Sequence, residues 1–252
     1  MLLLKKKWSL LIYSLILVVT LIVIRIVIDH YNLDIIAMNP AISALITGVI
    51  FTIAVIFTGT LTDYKESEKI PGELAAAIKS LYSDSFIFTS ADADLIERYK
   101  QSIRDLYQVM VANFRSNQWD INAVHQAELE INKRFAELGI QNVAPPVLVK
   151  LRNELTTIDR ISNRIKQIKD TDFIPAAYAI SEMSVGFVII ILLFLKGDSL
   201  IESIFILTAI TMMITGLFFL IKDMDDPFEL DVGASADVDM FLFLELEQYL
   251  RD

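Results

Sequence analysis

Cysteine is absent from the 252 residues of this chain. Its absence excludes disulfide bonds and removes thiolates from any metal site. Histidine is nearly absent too, because only His30 and His125 occur and neither has a second histidine nearby. No HExxH, GxSxG or P-loop pattern is present, and these are the motifs that carry metal-assisted hydrolysis, acyl transfer and phosphate chemistry. We therefore expect a protein that is not an enzyme.

Charge is scarce in four long stretches of a chain whose hydrophobic residues make up 54% of the total: one stretch has no charged residue and each of the others has one. An α-helix needs about 20 predominantly apolar residues to cross the hydrocarbon core of a bilayer. Four stretches meet that length, so we expect four transmembrane helices in contact with membrane lipid. They are residues 8–28, 41–62, 174–195 and 199–221.

Basic residues are scarce on one side of the predicted spans. Residues 29–40 contain no lysine or arginine, and Lys196 is the only one between the third and fourth spans. The opposite ends of the spans carry lysines at positions 5, 6, 7, 65, 69, 166, 169 and 222. Since basic residues favour the cytoplasmic side, we predict a multi-pass protein of the cell membrane with both termini in the cytoplasm.

Strand-like alternation is lacking between the second and third spans, where the pattern is helical. In residues 145–170, apolar side chains recur every three or four positions after two prolines, as in coiled-coil-like amphipathic helices. The predicted fold is an all-α membrane protein with a cytoplasmic helical domain inserted between spans 2 and 3. The expected segments are 1–62 (spans 1 and 2), 63–172 (helical domain), 173–221 (spans 3 and 4) and 222–252 (acidic cytoplasmic segment).

Acidity is concentrated at the C-terminal end of the chain. Residues 222–252 hold 2 basic and 10 acidic side chains, a net charge of −8. Such a segment repels phosphate backbones and anionic lipid headgroups. We therefore expect no nucleic-acid partner.

Ionisable residues inside the spans are costly to bury and are candidates for function. Arg25 lies near the outer end of its span, where snorkelling to the interface and pairing with Asp29 would explain it. Glu202 is also close to an outer end. Glu182 lies eight residues into the third span and is the candidate intramembrane acid, facing either protein or a water-filled path.

The second span carries no charge but contains small and hydroxyl-bearing residues. Gly48 and Gly59 allow close approach of another backbone, and threonines occur at positions 47, 52, 58, 60 and 62. This composition suits tight helix–helix packing. It equally suits a narrow ring around a pore, and the two alternatives remain open at this stage.

Three short segments resemble the bestrophin family of pentameric ion channels. They are ESEKIPGELAAAIKSLY (66–82), DRISNRIKQIKDTDFIPAAYAI (159–180) and DMDDPFE (223–229), and the order of spans and helical insert is similar over most of the chain. The chain departs from the family pattern at Asp63–Lys65 and around Met183 and Ser184.

The resemblance implies a homopentamer whose second span lines the pore. Its neck would be formed by Thr47, Phe51 and Val55, with five Phe51 side chains as the narrowest apolar ring; alternatively, Phe51 packs against the first span. The expected function is passage of inorganic monovalent ions, with cations favoured by the acidic tail. The alternative is a non-conducting membrane scaffold whose helical domain binds a cytoplasmic partner.

The acidic run after the fourth span allows three interpretations. The run consists of Asp223, Asp225, Asp226 and Glu229. In the first interpretation they are solvated acids beside a bend at Pro227. In the second they bind Ca²⁺, as the resemblance implies, and in the third they line a vestibule that attracts cations. We favour the bend, and therefore expect no cofactor, with Ca²⁺ as the alternative.

Overall fold

The computed structural model describes residues 2–170, 175–228 and 236–251. Within these residues the regular structure is almost entirely α-helical, so the all-α prediction is confirmed. The chain divides into two compact units. The membrane unit comprises the described residues of 1–64, 175–227 and 236–237, and the helical unit comprises those of 65–170, 228 and 238–251.

The membrane unit contains four helices that are long and apolar enough to span a bilayer. They lie close to the predicted spans: α1 is Leu2–His30, α2 is Pro40–Ser67, α7 is Pro175–Phe194 and α8 is Leu200–Asp225. The described part of α2 after Tyr64 belongs to the helical unit.

Side chains just before α2 and α8 explain where these helices begin. The Asn39 side-chain oxygen accepts hydrogen bonds from the backbone N–H groups of Ala41 and Ile42, both at 3.0 Å. Ser199 accepts one from the N–H of Glu202 at 3.2 Å, and the Glu202 carboxylate accepts one from the N–H of Asp198 at 3.1 Å. Glu202 is therefore a helix-capping residue, since such bonds satisfy N–H groups that the helix leaves unpaired.

A short parallel bridge ties the two interhelical loops of the membrane unit together. Strand β1 (Ile36–Ala37) precedes α2, and strand β2 (Leu195–Lys196) precedes α8; Ile36 pairs with Leu195. Both loops consequently lie at one end of this unit, and the C-terminal ends of α2 and α8 lie toward the other.

Arg25 is fully buried at the loop end of the membrane unit. Its Nη1 donates to the backbone carbonyl of Leu193 in the last turn of α7 at 2.9 Å. Its Nη2 lies 3.7 Å from an Asp34 carboxylate oxygen and 3.9 Å from one of Asp29. The prediction that Arg25 snorkels to the interface is therefore wrong, because partners inside the unit replace water.

The helical unit consists of five described helices that bury their apolar stripes against one another. In the stripe predicted for residues 145–170, the buried positions are Leu151, Leu155, Ile158, Ile161 and Ile165, and the partly buried ones are Leu148 and Ile168. The helices are α3 (Ile70–Asp84), α4 (Ala93–Arg115), α5 (Ile121–Ile140), α6 (Pro145–Asp170) and α9 (Phe241–Arg251).

Helices α1, α4 and α5 are each followed, two residues after their last residue, by an asparagine in the left-handed backbone conformation. Asn32, Asn117 and Asn142 have φ values of 53°, 53° and 60°. Each donates its N–H to a carbonyl three residues earlier, and the next residue donates to a carbonyl five residues earlier. This is the Schellman arrangement, which satisfies the last carbonyls of a helix. A glycine such as Gly139 is typical of a helix end, but α5 continues to Ile140.

Helix α9 was not predicted, because the surrounding segment is dominated by acidic residues. Its Phe243, Leu246 and Leu250 are buried in the helical unit. Phe228 is also fully buried there, with its ring centroid 6.0 Å from that of Phe114. The C-terminal segment is therefore shared between the two units and buries an apolar face.

We predict that Arg25→Ala destabilises the membrane unit by about 3 kcal/mol, because it leaves the Leu193 carbonyl without its donor and the partly buried Asp29 and Asp34 carboxylates without a cation. Equilibrium unfolding of the detergent-solubilised chain in mixed micelles measures this change. Lys196→Ala removes an exposed cation from the same end and serves as the control. Equal stability of Arg25→Ala and the control would contradict the assigned role of Arg25.

Candidate functional site

Helix α2 leaves most of its surface uncovered within the chain. Only 11% of its most apolar 18-residue window is buried, compared with 28–33% for the other three candidate spans. Its buried face carries Ile46, Ile53 and Ile56, which join the core of the membrane unit. The opposite face therefore requires lipid or another chain to cover it.

The predicted neck residues all lie on this uncovered face. Thr47 is exposed, and the exposed fractions of Phe51 and Val55 are 68% and 56%. Their spacing of four residues places them along one side of the helix. Within the chain, Phe51 is thus not packed against α1.

The threonine hydroxyls of α2 are satisfied by the helix itself. Thr47, Thr52, Thr58 and Thr62 each donate to the carbonyl four residues earlier, at 2.8–2.9 Å. Each hydroxyl oxygen still has acceptor capacity after donating this bond. The helix can therefore face an apolar or an aqueous surrounding without an unpaired hydroxyl proton.

Small residues distinguish this face from an ordinary lipid-facing surface. Exposed positions on α2 include Ala44, Gly48 and Ala54, and a methyl group added at Gly48 would meet nothing within 4 Å. The exposed face of α1 is instead formed by bulky apolar residues, among them Ile12, Ile16, Val19 and Val23. Small residues of this kind allow another helix to approach closely.

Glu182, the candidate intramembrane acid, lies beside a cation. The Lys222 ammonium is 2.5 Å from its carboxylate, and both side chains are about half exposed, at 49% and 51%. Lys222 Nζ also lies 5.1 Å from the centroid of the Phe218 ring. The salt bridge joins α7 to the last turns of α8 and supplies a structural explanation for an acid at this depth.

The acidic run after the fourth span is partly used to hold the backbone. An Asp223 carboxylate oxygen accepts a hydrogen bond from the N–H of Ala236 at 2.6 Å. Asp225 and Asp226 are partly buried, and Pro227 is buried. Helix α8 ends here, at Asp225, and the three aspartates are only partly exposed, in contrast to the solvated acids of the favoured interpretation. Glu229 lies outside the described residues.

A cluster that the sequence analysis passed over lies in the helical unit. Ligand atoms of His125, Glu128 and Asp159 all lie within 4.8 Å of one another, and no other group of three such residues is this close in the described part of the chain. Burial, together with the neighbouring Asp159 charge, raises the pKa of Glu128 to about 8. The only feature of the sequence that could have indicated this cluster was the spacing of His125 and Glu128, which places both on one helix face.

No protein-family model and no curated protein matches this sequence, but solved structures match the fold. A bacterial bestrophin homolog from Klebsiella pneumoniae has a TM-score of 0.79 and 15% identity, covering 95% of this chain and 96% of that chain. A point variant of a bacterial bestrophin homolog from the same organism has a TM-score of 0.78 and 16% identity, covering 95% and 97%. A structure described as a membrane protein has a TM-score of 0.77 and 17% identity, with the same coverage.

These similarities establish the architecture of the chain. It has the fold of bacterial bestrophin homologs over nearly its whole length, so the predicted resemblance is confirmed at the level of the fold. Together with the four apolar helices, this fold defines a multi-pass membrane protein.

Proposed function

We propose that the chain is the subunit of a homopentameric, bestrophin-like ion channel of the cell membrane, with both termini in the cytoplasm. The observation that carries this proposal is the exposed, uncharged face of α2. It lies on the least buried span of a chain that shares its fold with bestrophin homologs.

The same face supplies the pore lining in this proposal. Five copies of α2 around an axis bring together rings of Thr47, Phe51 and Val55, all of which are exposed in the single chain. A constriction lined by apolar side chains excludes water and opposes ion entry, which is gating by dewetting. Phe51 has the largest of the three side chains and so forms the narrowest ring.

Ion preference is proposed to come from charge beyond the neck. Asp223, Asp225 and Asp226 lie at the end of α8, toward the same end of the membrane unit as the C-terminal part of α2. Their negative charge raises the local concentration of cations within about a Debye length, roughly 10 Å at 0.1 M salt. We therefore propose that monovalent cations are favoured, with Asp223 also fixing the backbone at Ala236.

The first prediction of the channel proposal concerns assembly. Native mass spectrometry of the detergent-solubilised protein is expected to show five copies of the 28.5 kDa chain. A large residue at Gly48, as in Gly48→Leu, should weaken the assembly while leaving the single chain folded, because Gly48 is exposed and a Cβ added there meets nothing within 4 Å. A wild type found only as monomer or dimer would contradict the pentamer.

The second prediction concerns the neck. Phe51→Ala is expected to raise ion flux into liposomes several-fold, because a wider and wetter constriction lowers the barrier to entry. Phe205→Ala is the matched control, since Phe205 is a 72% exposed phenylalanine on α8. If the two variants assemble normally and give equal ion flux, Phe51 does not form the neck. If the wild type and both variants are silent, the scaffold alternative is favoured.

The third prediction concerns selectivity. Under a KCl gradient, the reversal potential of the wild type is expected to shift toward the potassium equilibrium potential. Replacing Asp223, Asp225 and Asp226 together by asparagine should reduce this shift, while each amide oxygen still accepts a hydrogen bond. Asp198→Asn neutralises an exposed acid in the loop before α8 and should change little. A wild-type reversal potential near that of chloride would contradict cation preference.

A further inference from the structure

Two helices of the helical unit bring one imidazole and two carboxylates to the same place. His125 and Glu128 lie one turn apart on α5, and Asp159 lies on α6, which packs against α5. One ligand atom from each side chain lies within 4.8 Å of the others. The pore model described above uses none of these residues.

The protein does not satisfy these groups by itself. Glu128 is only 6% exposed, and its buried Oε1 has no hydrogen-bond partner among the described residues. His125 Nε2 is buried too; it lies 3.2 Å from an Asp159 oxygen, but the contact lacks hydrogen-bond alignment. An ionised carboxylate without a partner in the interior destabilises a fold unless it takes up a proton or binds a cation. A cation held between the three side chains would compensate it.

We propose that His125, Glu128 and Asp159 bind a divalent transition-metal ion of the Zn²⁺ class, which joins α5 to α6.

The donor set selects this class of ion. Imidazole nitrogen suits zinc and its neighbours in the first transition row, whereas Ca²⁺ and Mg²⁺ take oxygen ligands. Three protein donors leave one position of a tetrahedral zinc site open. The side chains of His125 and Asp159 are 41% and 47% exposed, so the cluster lies near the surface of the helical unit.

Small side-chain movements complete the geometry. In a tetrahedral site the donors lie roughly 3.4 Å apart, from bond lengths of about 2.1 Å. The three ligand atoms now lie up to 4.8 Å apart. Rotation of the partly exposed His125 and Asp159 side chains would bring them to the shorter distance.

Asn163 supports Asp159 from outside the cluster. Its Nδ2 donates to an Asp159 carboxylate oxygen at 2.9 Å and to the Asp159 backbone carbonyl at 2.8 Å. Hydrogen bonds of this kind orient a ligand and tune its affinity for metal. Asn163 is therefore a positioning residue for the site.

The experiment is a calorimetric titration of Zn²⁺ into the full-length protein in detergent, after chelation and removal of bound metal. We expect one high-affinity Zn²⁺ per chain, and loss of affinity by more than tenfold in Glu128→Gln and in Asp159→Asn. Both substitutions preserve side-chain shape. Glu130→Gln, an exposed acid on the same helix, is the matched control, and a His30→Ala background removes the second histidine of the chain.

Stability supplies an independent readout. Since the ion joins two helices, Zn²⁺ should raise the unfolding temperature of the wild type and of Glu130→Gln, but not of Glu128→Gln. Buried Trp119 reports on this unit by fluorescence once the other tryptophan is removed in a Trp8→Phe background. Co²⁺ bound in place of Zn²⁺ should give the visible absorption of a tetrahedral site.

Two outcomes would overturn the proposal. One is equal Zn²⁺ affinity in the wild type, Glu128→Gln and Asp159→Asn, which would make the contact of His125 with Asp159 a simple ion pair. The other is stronger binding of Ca²⁺ than of Zn²⁺ at the same residues. Neither result depends on ion flux, so failure of this proposal is distinguishable from failure of the channel proposal.

Discussion

The structure of the membrane unit depends on how one buried cation is satisfied. Arg25 is fully enclosed, and a charge without water must find its oxygen partners within the protein. It finds them in three separate segments: the Leu193 carbonyl at the end of α7, Asp34 in the first loop, and Asp29 one turn along α1. Because Leu193 lies two residues before the partner of Ile36 in the β1–β2 bridge, the same contacts fix the loop from which α2 starts.

Because α2 is held at its beginning and along one side, most of its surface can remain uncovered within the chain. The helix is held at its beginning by the first loop and the Asn39 cap, and along one side by Ile46, Ile53 and Ile56. Its other side carries no charge and is made partly of small residues. A helix with internally satisfied hydroxyls and a smooth outer face is suited to association between copies of one chain. Within the described part of the single chain, this side of α2 is therefore left without a protein partner.

Much of this architecture was predictable from the sequence, because it depends on local patterns. Apolar length located the four spans, and the spacing of leucines and isoleucines gave the buried stripe of α6. The partners of Arg25 were less accessible, since Leu193 is 168 residues away in the chain. Helix α9 was missed because three buried positions, Phe243, Leu246 and Leu250, are embedded in an acidic segment whose net charge suggested a solvated tail.

Arg25 and Glu128 show how a buried charge can be interpreted from its partners. The arginine has a carbonyl and two carboxylates around it, so its charge is balanced within the unit, although its buried Nε has no hydrogen-bond partner among the described residues. The glutamate has a carboxylate and an imidazole beside it and an oxygen without a hydrogen bond among the described residues. Burial beside Asp159 raises the pKa of Glu128, so without a cation this carboxyl takes up a proton, whereas a cation bound there would stabilise the ionised form. Sequence could not reveal this contrast, because Asp159 reaches the site only through the packing of α6 on α5.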